Sequence, residues 1–361
     1  MALNSDIAFK FGCGRYIQEQ NAIEKYLATE LKRFGEKPLL ICGKNGYRVA
    51  GTKIENVLRN ADIPYSLKTF ESTPCPENAD ELADLAKSQR CDIICGVGGG
   101  VLGDTAKLVA ERADLPLVQI PTSSATCVAA TPLSVMYDRD THACLGSLKL
   151  MKEADAVLVD LNVMIEQPPR LFWAGVMDAK AKMIEITHRI RTMENFPLGF
   201  EMAYEIARKT YAFYTEKHAK LLDALTKKEI TEDFELAIFY AIGVTGIISG
   251  IAKGSNQCAL AHKFYEEVRT SFYEEAKDFV HGELVAMGLI VQLAYNDLDY
   301  TSMISELKEM RLPVCLSDIR IPVCEKNMDI FVAKLCNSSA VMDNSDEAQN
   351  KVRKALGSIY G

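Results

Sequence analysis

The sequence lacks the features that identify nucleic-acid-binding, exported and membrane-spanning proteins. Its 361 residues carry 41 Lys and Arg against 49 Asp and Glu, for a net charge of -8 at pH 7. This balance argues against a nucleic-acid partner, because such binding depends mainly on basic residues that neutralise phosphates. A polybasic segment and a run of about 18 uninterrupted apolar residues are both absent, so we expect no membrane partner and no spanning helix. The N-terminal residues have no signal-peptide pattern, so we expect no export.

Paired cysteines are missing and histidines are few. Eleven cysteines occur without a CxxC pair, which predicts reduced thiols in a cytoplasmic protein. Of the five histidines, His142, His188 and His218 lie in polar stretches and are predicted at the surface. His262 and His281 lie in apolar helical stretches, where an unpaired imidazole is costly. Either one alone is explained most simply as a hydrogen-bonded core histidine.

One stretch is unusually rich in glycine. A β-branched run ends in Gly98, Gly99 and Gly100, and a helical pattern follows at once. A strand, a glycine loop and a helix let bare backbone approach a pyrophosphate at the helix N-terminus. The alternative is a tight turn without a ligand. The loop follows the third or fourth predicted strand rather than the first, and no acidic residue ends the next strand. We therefore predict a variant dinucleotide-binding loop.

Strands alternate with helices in the first part of the chain, which predicts βαβ units and a parallel sheet. The predicted strands are Ile7–Gly12, Pro38–Cys42, Tyr65–Phe70, Asp92–Val97, Leu117–Ile120, Leu133–Tyr137, Ala143–Lys149 and Ala156–Asp160. The sixth and seventh can form a hairpin. After the breaker pair Pro168-Pro169 the spacing is helical almost to the end. We predict an α/β dinucleotide-binding domain over residues 1–164 and an all-α domain over residues 165–361.

Two polar stretches offer further candidate site residues. Thr122, Ser123, Thr126 and Thr131 follow a strand, and their hydroxyls can bond a ribose, a phosphate or a carboxamide, or form an ordinary Ser/Thr turn. Asp178 lies among small residues of a helical segment, where an N-cap is the alternative. Two imidazoles and one carboxylate from three helices can hold a divalent metal with an open fourth position. Their spacing alone does not show that they converge.

Four motifs, in order, resemble the metal-dependent, iron-containing alcohol dehydrogenase superfamily, in its glycerol dehydrogenase-like branch. They are the GGGxxxDxxK loop, the Pro-Thr-hydroxyl loop leading to Leu-Ser-Val, the Gly-x-x-Asp-Ala-x-Ala-Lys helix and the final His-Gly-Glu. The segment 125–135 is most similar to bacterial hydroxycarboxylate (2-oxo acid) dehydrogenase. The resemblance implies a dehydroquinate synthase-like fold with a Rossmann-like variant domain and a helical metal-binding domain. It also implies a cleft between them, a small-molecule substrate and a homo-oligomer.

The resemblance assigns the site residues as well. Asp178, His262 and His281 match the metal ligands. Iron-type members have a histidine four residues after the aspartate, where this chain has Lys182, so we expect zinc, with Fe, Mn and Ni as alternatives. The expected enzyme acts on CH–OH groups by hydride transfer with NAD(P). The cofactor contacts are assigned to Gly98, Gly99, Gly100, Val101, Asp104, Thr122, Ser123, Thr126, Thr131, Leu133 and Tyr137.

Two residues near the expected metal site bear on the substrate. Glycerol dehydrogenases of this branch have an aspartate where this chain has Cys127, and loss of that charge favours an anionic substrate. Lys182 lies one turn after Asp178 on the same helix face. We hypothesise that Lys182 pairs with the carboxylate of a 2-oxo acid beside His281. The alternative is an ion pair with Asp178 or Glu185.

The cofactor preference is predicted from the end of the second strand. NAD-selective relatives carry an aspartate at the position of Gly43, where it binds the ribose 2′-hydroxyl and repels a 2′-phosphate. Gly43 removes that repulsion and Lys44 adds a cation, so we predict that NADP(H) is preferred over NAD(H). The alternative is that Lys44 is a solvated loop residue and both cofactors work.

The predicted function is the interconversion of a small 2-oxo acid and its 2-hydroxy acid on a divalent metal. Glycerol or polyol dehydrogenase activity is the alternative within the same branch. A dehydroquinate synthase-type lyase would need a glutamate in place of Asp178 and a cluster of basic residues. A non-catalytic nucleotide-binding protein would not need Asp178, His262 and His281 together.

Overall fold

A six-stranded parallel sheet organises the first half of the chain, in a computed structural model that describes residues 11–195, 198–253 and 257–360. The strands are β1 (Arg15–Glu19), β2 (Pro38–Cys42), β3 (Ser66–Thr69), β4 (Ile93–Gly98), β5 (Leu117–Pro121), β6 (Leu133–Tyr137), β7 (Cys144–Lys149) and β8 (Ala156–Asp160). All except β6 and β7 belong to the parallel sheet. β6 and β7 form the predicted antiparallel hairpin.

Helices cover the sheet between its strands. They are α1 (Ala22–Phe34), α2 (Lys44–Gly46), α3 (Thr52–Asn60), α4 (Pro76–Ser88) and α5 (Gly100–Ala113), with a π-helical segment, Tyr47–Gly51, joining α2 to α3. Strands β2, β5 and β8 are buried along their whole length, as expected for a parallel sheet covered on both faces. This burial explains why those strands are mostly apolar in sequence, with Gln119 in β5 and Asp160 at the end of β8 as the polar exceptions.

The strand order places a ligand crevice between β2 and β4. The order across the sheet is β1-β8-β5-β4-β2-β3. From β2 the chain first continues to β3 at one edge of the sheet and then returns to β4 on the opposite side of β2. Open α/β sheets bind ligands beyond the carboxyl ends of strands at such a switch point. Gly43 follows β2 there and donates its N–H to the Val97 carbonyl of β4, at 3.3 Å. The two predicted cofactor segments, at Gly43 and at the glycine loop, therefore meet beyond the carboxyl ends of these neighbouring strands.

The second half is helical. Its helices are α6 (Leu161–Ile165), α7 (Pro169–Thr192), α8 (Phe200–Lys227), α9 (Glu232–Phe239), α10 (Thr245–Ile251), α11 (Leu260–Ser271), α12 (Tyr273–Ala276), α13 (His281–Tyr295), α14 (Thr301–Glu309), α15 (Glu325–Cys336) and α16 (Asp346–Leu356). Helix α13 is apolar on nearly every side, as expected of a helix surrounded by others. It packs against α7, α11 and α16.

The predicted fold class is confirmed, with differences in detail. Residues 7–10 of the first predicted strand, Ile7–Gly12, lie outside the described residues. The first described strand, β1, lacks the apolar run on which strand prediction relied and was not predicted. The predicted domain boundary between residues 164 and 165 falls near the end of α6, and it stays a prediction.

Two of the three histidines predicted at the surface are not there. His188 is buried, with Nδ1 2.9 Å from Asn296 Oδ1. The His218 side chain is only 16% exposed because its ring stacks on Trp173. The polar residues that flank these positions lie on other faces of their helices, so local polarity did not report burial. His142 is half-buried, and its Nδ1 lies 2.7 Å from Thr73 Oγ1.

One helical stretch, Glu232–Ile251, is long and apolar enough to cross a membrane. Its mean hydropathy is 1.8, and 67% of its residues are buried inside the fold. The sequence prediction of no spanning helix used a run of about 18 uninterrupted apolar residues, a criterion that this stretch does not meet because polar positions interrupt it. The extent to which Glu232–Ile251 is buried is typical of a helical stretch in the protein core.

Candidate active site

Three helices bring Asp178, His262 and His281 together, although the last of them lies about a hundred residues after the first in the chain. Asp178 is in the middle of α7, so it is not an N-cap. Its Oδ1 lies 3.5 Å from His262 Nε2 on α11 and 3.6 Å from His281 Nε2 at the first residue of α13. One ligand atom from each residue lies within 4.8 Å of the others, which suits a single metal ion. The structure therefore shows that the three residues converge, which their spacing in the sequence could not show.

Two glycines of α13 allow this convergence. A Cβ on Gly282 would lie 2.1 Å from the Ala174 carbonyl oxygen of α7. A Cβ on Gly288 would lie 2.4 Å from the Ala261 carbonyl oxygen of α11. Only glycine permits such close approach of a helix to a neighbouring backbone. These contacts hold His281 against the helix that carries Asp178 and bring α13 close to the residue before His262.

A buried carboxylate that sequence reasoning did not assign to the site orients His262. Glu185 Oε2 lies 2.5 Å from His262 Nδ1, and Oε1 accepts the N–H groups of His262 and Ala259 at 3.0 and 2.7 Å. A carboxylate that accepts a hydrogen bond from Nδ1–H fixes the proton on Nδ1 and leaves the Nε2 lone pair free for a metal. Burial raises the pKa of Glu185, but His262 outweighs it and keeps that pKa below its ordinary value. The sequence signal that could have identified Glu185 is its spacing, because it lies one turn after Lys182 on α7.

A second missed contact fixes the start of α13. Arg170 binds Glu283 through two bonds, Nε to Oε1 at 3.0 Å and a terminal nitrogen to Oε2 at 2.6 Å. Glu283 also accepts the Val280 N–H at 2.8 Å. This pair ties the first turn of α13 to the first turn of α7. It therefore stabilises the position of His281, the first residue of α13.

The three residues fit a divalent metal. Asp178 Oδ1 is a buried anionic oxygen that makes no hydrogen bond of good geometry among the described residues, although the Lys182 ammonium lies 3.1 Å away. Burial raises the pKa of Asp178, but Lys182 and the two histidines hold it well below its ordinary value, so the carboxylate is charged. Burial lowers the pKa of His281, which favours the neutral imidazole that metals require. The donor set His₂Asp suits zinc and other first-row divalent ions.

Lys182 lies against the same group. Its side chain is 5% exposed, and Nζ lies 3.1 Å from Asp178 Oδ1 and 3.2 Å from His262 Nε2. The ion pair with Asp178, which was the alternative interpretation, is therefore present. Burial disfavours the ammonium, but Asp178 outweighs burial and raises the pKa of Lys182. Lys182 is thus a fixed positive charge beside the candidate metal ligands.

One cleft of about 860 Å³ joins this group to the edge of the sheet. Every residue that the sequence assigned to the metal, the cofactor or the substrate lines it. Helix α5 begins at Gly100, and its first helical hydrogen bond runs from Gly103 N–H to the Gly99 carbonyl. The N–H groups of the first turn before Gly103 have no carbonyl one turn back, which suits a phosphate. A Cβ on Gly100 would lie 3.1 Å from Thr126, so the glycine loop and the hydroxyl loop are in close contact.

Three of the residues assigned to the cofactor are also engaged inside the protein. Lys107 Nζ lies 3.2 Å from Asp104 Oδ1 and 3.2 Å from the Thr131 carbonyl, and it donates to the Leu133 carbonyl. Burial raises the pKa of Asp104 to about 6, against the lowering effect of Lys107. The GGGxxxDxxK motif therefore ties α5 to the segment that leads into the hairpin, a structural role that the sequence pattern did not indicate.

The remaining assigned residues lie at opposite ends of the cleft. Lys44 and Arg48 line it beside Gly43, and Arg48 is a basic residue that sequence reasoning missed. A Cβ on Gly43 would meet only the Phe70 carbonyl, at 4.0 Å. Cys127 lines the same cleft as the metal-ligand candidates, and burial raises the pKa of its thiol to about 11. Cys127 therefore contributes no negative charge to the site.

The chain is similar to known dehydrogenases in both sequence and fold. Residues 13–161 match the family model of iron-containing alcohol dehydrogenase. A glycerol dehydrogenase of Thermotoga maritima is 27% identical over 347 residues, covering 92% of this chain and 91% of that protein. Hydroxycarboxylate dehydrogenase A of Escherichia coli is 27% identical over 283 residues, covering 77% and 76%. The crystal structure of a probable glycerol dehydrogenase from Sinorhizobium meliloti has a TM-score of 0.83 at 25% identity, covering 98% of both chains.

Proposed function

Because the chain carries a domain of the iron-containing alcohol dehydrogenase family over residues 13–161, we propose that it interconverts a small 2-oxo acid and its 2-hydroxy acid. Asp178, His262 and His281 would hold a divalent ion, and the glycine loop would hold the nicotinamide dinucleotide. When bound, the ion polarises the substrate carbonyl and the nicotinamide supplies or accepts the hydride. The cleft connects the two positions.

The charges beside Asp178, His262 and His281 are the observation that supports this choice of substrate. Lys182 is a buried ammonium within 3.2 Å of two metal-ligand candidates, and Cys127 in the same cleft is neutral. In a 2-oxo acid the carboxylate is attached directly to the carbonyl carbon. A cation next to the carbonyl position therefore complements this class of substrate better than it complements an uncharged polyol.

Glycerol or another polyol is the second candidate, because several relatives are glycerol dehydrogenases. In this alternative Lys182 only neutralises Asp178. The 3.1 Å ion pair supports that role directly. The two candidates differ in whether the Lys182 charge contributes to substrate affinity.

For the cofactor we propose a preference for NADP(H). Gly43 offers no carboxylate, while Lys44 and Arg48 line the cleft and have no ion-pair partner within the described ranges. A 2′-phosphate would meet two cations there. The acidic residue Glu71 also lines the cleft.

Steady-state kinetics test the function, on 2-oxo acids and dihydroxyacetone with NADPH and NADH, and on glycerol with NADP⁺ and NAD⁺. We expect the highest kcat/KM for a 2-oxo acid with NADPH. In Lys182→Met, the KM for that acid should rise about tenfold or more, as expected for loss of a charge-assisted contact. Lys180→Met is the matched control, because Lys180 is equally buried on α7 but pairs with Glu306.

Metal content must be equal in all variants before KM values are compared. A KM for 2-oxo acids that is the same in wild type and Lys182→Met would rule out the carboxylate contact. Higher kcat/KM for glycerol or dihydroxyacetone than for every 2-oxo acid would establish the polyol alternative.

A further inference from the structure

A buried guanidinium without an acidic partner lines the cleft on the side of α11. Arg269 is 9% exposed and donates to two backbone carbonyls, through Nη1 to Ala276 at 3.2 Å and through Nη2 to Phe279. Its Nε has no hydrogen-bond partner among the described residues. Within the same ranges no carboxylate lies at ion-pair distance from the guanidinium. A buried charge of this kind is costly unless an anion accompanies it.

Arg269 lies on the same side of α11 as His262. Tyr265 follows His262 by three residues and Arg269 follows Tyr265 by four, so the three side chains form one row along the helix. All three line the cleft, and the row spans two turns, roughly 10 Å along the helix axis. The Phe279 carbonyl that Arg269 binds lies two residues before His281, a chain length of at most about 7 Å. The guanidinium is therefore within the length of a small molecule of the candidate metal ligands.

The other charged side chains near this end of the cleft are balanced by partners. Glu266 lines the cleft and pairs with Lys263, Oε2 to Nζ at 2.5 Å. Lys277, another lining residue, pairs with Glu274 at 2.8 Å. No described residue balances Arg269 in this way. The region therefore has one buried positive charge available to an anion that enters the cleft.

We propose that Arg269 binds a terminal anionic group of the substrate, a carboxylate or a phosphate, at the end opposite to the reacting carbonyl. This inference rests on the function proposed above, and for a 2-oxo acid it narrows the substrate class to 2-oxo dicarboxylates. Lys182 then meets the carboxylate next to the carbonyl, and Arg269 meets the terminal one. Arginine has more N–H donors than the two used by Ala276 and Phe279, and their planar arrangement matches carboxylate and phosphate oxygens.

Pairs of substrates that differ only in the terminal group test this role in the metal-loaded enzyme. They are 2-oxoglutarate with 2-oxopentanoate and dihydroxyacetone phosphate with dihydroxyacetone, and the pair of the class that the wild type reduces better decides. We expect the wild-type kcat/KM to be about tenfold or more higher for the member with the terminal anion. In Arg269→Met this ratio should fall to about one because KM for that member rises, while KM for the other member stays within about threefold. Arg269→Lys keeps the charge and should keep part of the preference.

A binding measurement that needs no turnover gives a second readout. Glutarate carries two carboxylates and no carbonyl to reduce, whereas pentanoate has the same chain length and one carboxylate. We expect glutarate to inhibit the wild type competitively about tenfold more strongly than pentanoate does. Equal inhibition by the two acids, in an enzyme that reduces 2-oxo acids better, would contradict the proposal even if Arg269→Met does not fold.

Arg189→Met is the matched control. Arg189 on α7 also donates to a backbone carbonyl, that of Ser339 at 2.7 Å, and also has an Nε without a partner, but it does not line the cleft. The ratio should keep its wild-type value in this control. An equal loss of kcat/KM for both members of the pair in Arg269→Met would make Arg269 a structural tie to Ala276 and Phe279 and overturn the proposal, as would a wild-type ratio of about one. The class of carbonyl compound that the wild type reduces better tests the proposed function, whereas the ratio within a pair tests Arg269, so either can fail alone.

Discussion

The role of Glu185 leads to a specific prediction about metal affinity. Its carboxylate is fully buried, accepts two backbone N–H groups and lies 2.5 Å from His262 Nδ1. In Glu185→Gln the amide oxygen can still accept the backbone N–H groups, which directs the amide nitrogen toward Nδ1. A donor facing Nδ1 favours the tautomer with its proton on Nε2. That proton occupies the lone pair which a metal beside Asp178 would need.

The expected loss follows from the kind of contact that is removed. Changes to the group that orients a metal-bound histidine typically cost 10- to 100-fold in metal affinity. This corresponds to about 1.4–2.8 kcal/mol. Because glutamine keeps the volume of glutamate and both backbone contacts, the fold should survive. The effect should therefore fall on the metal rather than on global stability.

Competition with a chelator of known affinity measures this change, with Zn²⁺ as the probe. Glu267→Gln is the matched control. Glu267, on α11, is a buried carboxylate like Glu185, but it accepts a hydrogen bond from Ser271 instead of contacting His262. We expect weaker Zn²⁺ binding in Glu185→Gln and wild-type binding in the control. Equal affinities for wild type and Glu185→Gln would refute the assignment of Glu185 as the group that orients His262.

Two further predictions concern glycines. In Gly43→Asp the new side chain has room, because a Cβ there meets only the Phe70 carbonyl at 4.0 Å, so its charge alone should act. We expect kcat/KM for NADPH to fall about tenfold relative to NADH, and an unchanged ratio would contradict the placement of the 2′-phosphate. In Gly282→Ala the new methyl would lie 2.1 Å from the Ala174 carbonyl, and overpacking should lower the free energy of unfolding by about 1–3 kcal/mol and weaken Zn²⁺ binding. Gly357→Ala, where nothing lies within 4 Å, should leave thermal unfolding and Zn²⁺ binding unchanged.

The fold class could be predicted because its signals are local. The fully buried strand β2 is a continuous apolar run, and β5 and β8 are apolar apart from Gln119 and Asp160. The change to helical spacing after Pro169 is visible in any short window. The edge strand β1 and the burial of His188 could not be predicted in the same way. Each depends on what packs against the segment, which the segment itself does not record.

The same distinction between local signals and tertiary contacts applies to the candidate site. The glycine loop is contiguous, so its backbone geometry and its place at a helix N-terminus follow from neighbouring residues. Glu185 was not assigned to the site, although it lies within one turn of Lys182, which was. Its contact with the site depends on a partner from another element, His262 on α11.

The sequence by itself determined the order of strands and helices, the glycine loop and the chemical types of the metal-ligand candidates, because these depend on residues adjacent in the chain. Only the tertiary structure decided that Asp178, His262 and His281 share one site. Their separation along the chain carries no information about their distance in space. That distance is set by helix packing, and it is short because α13 approaches the backbones of α7 and α11 at two glycines.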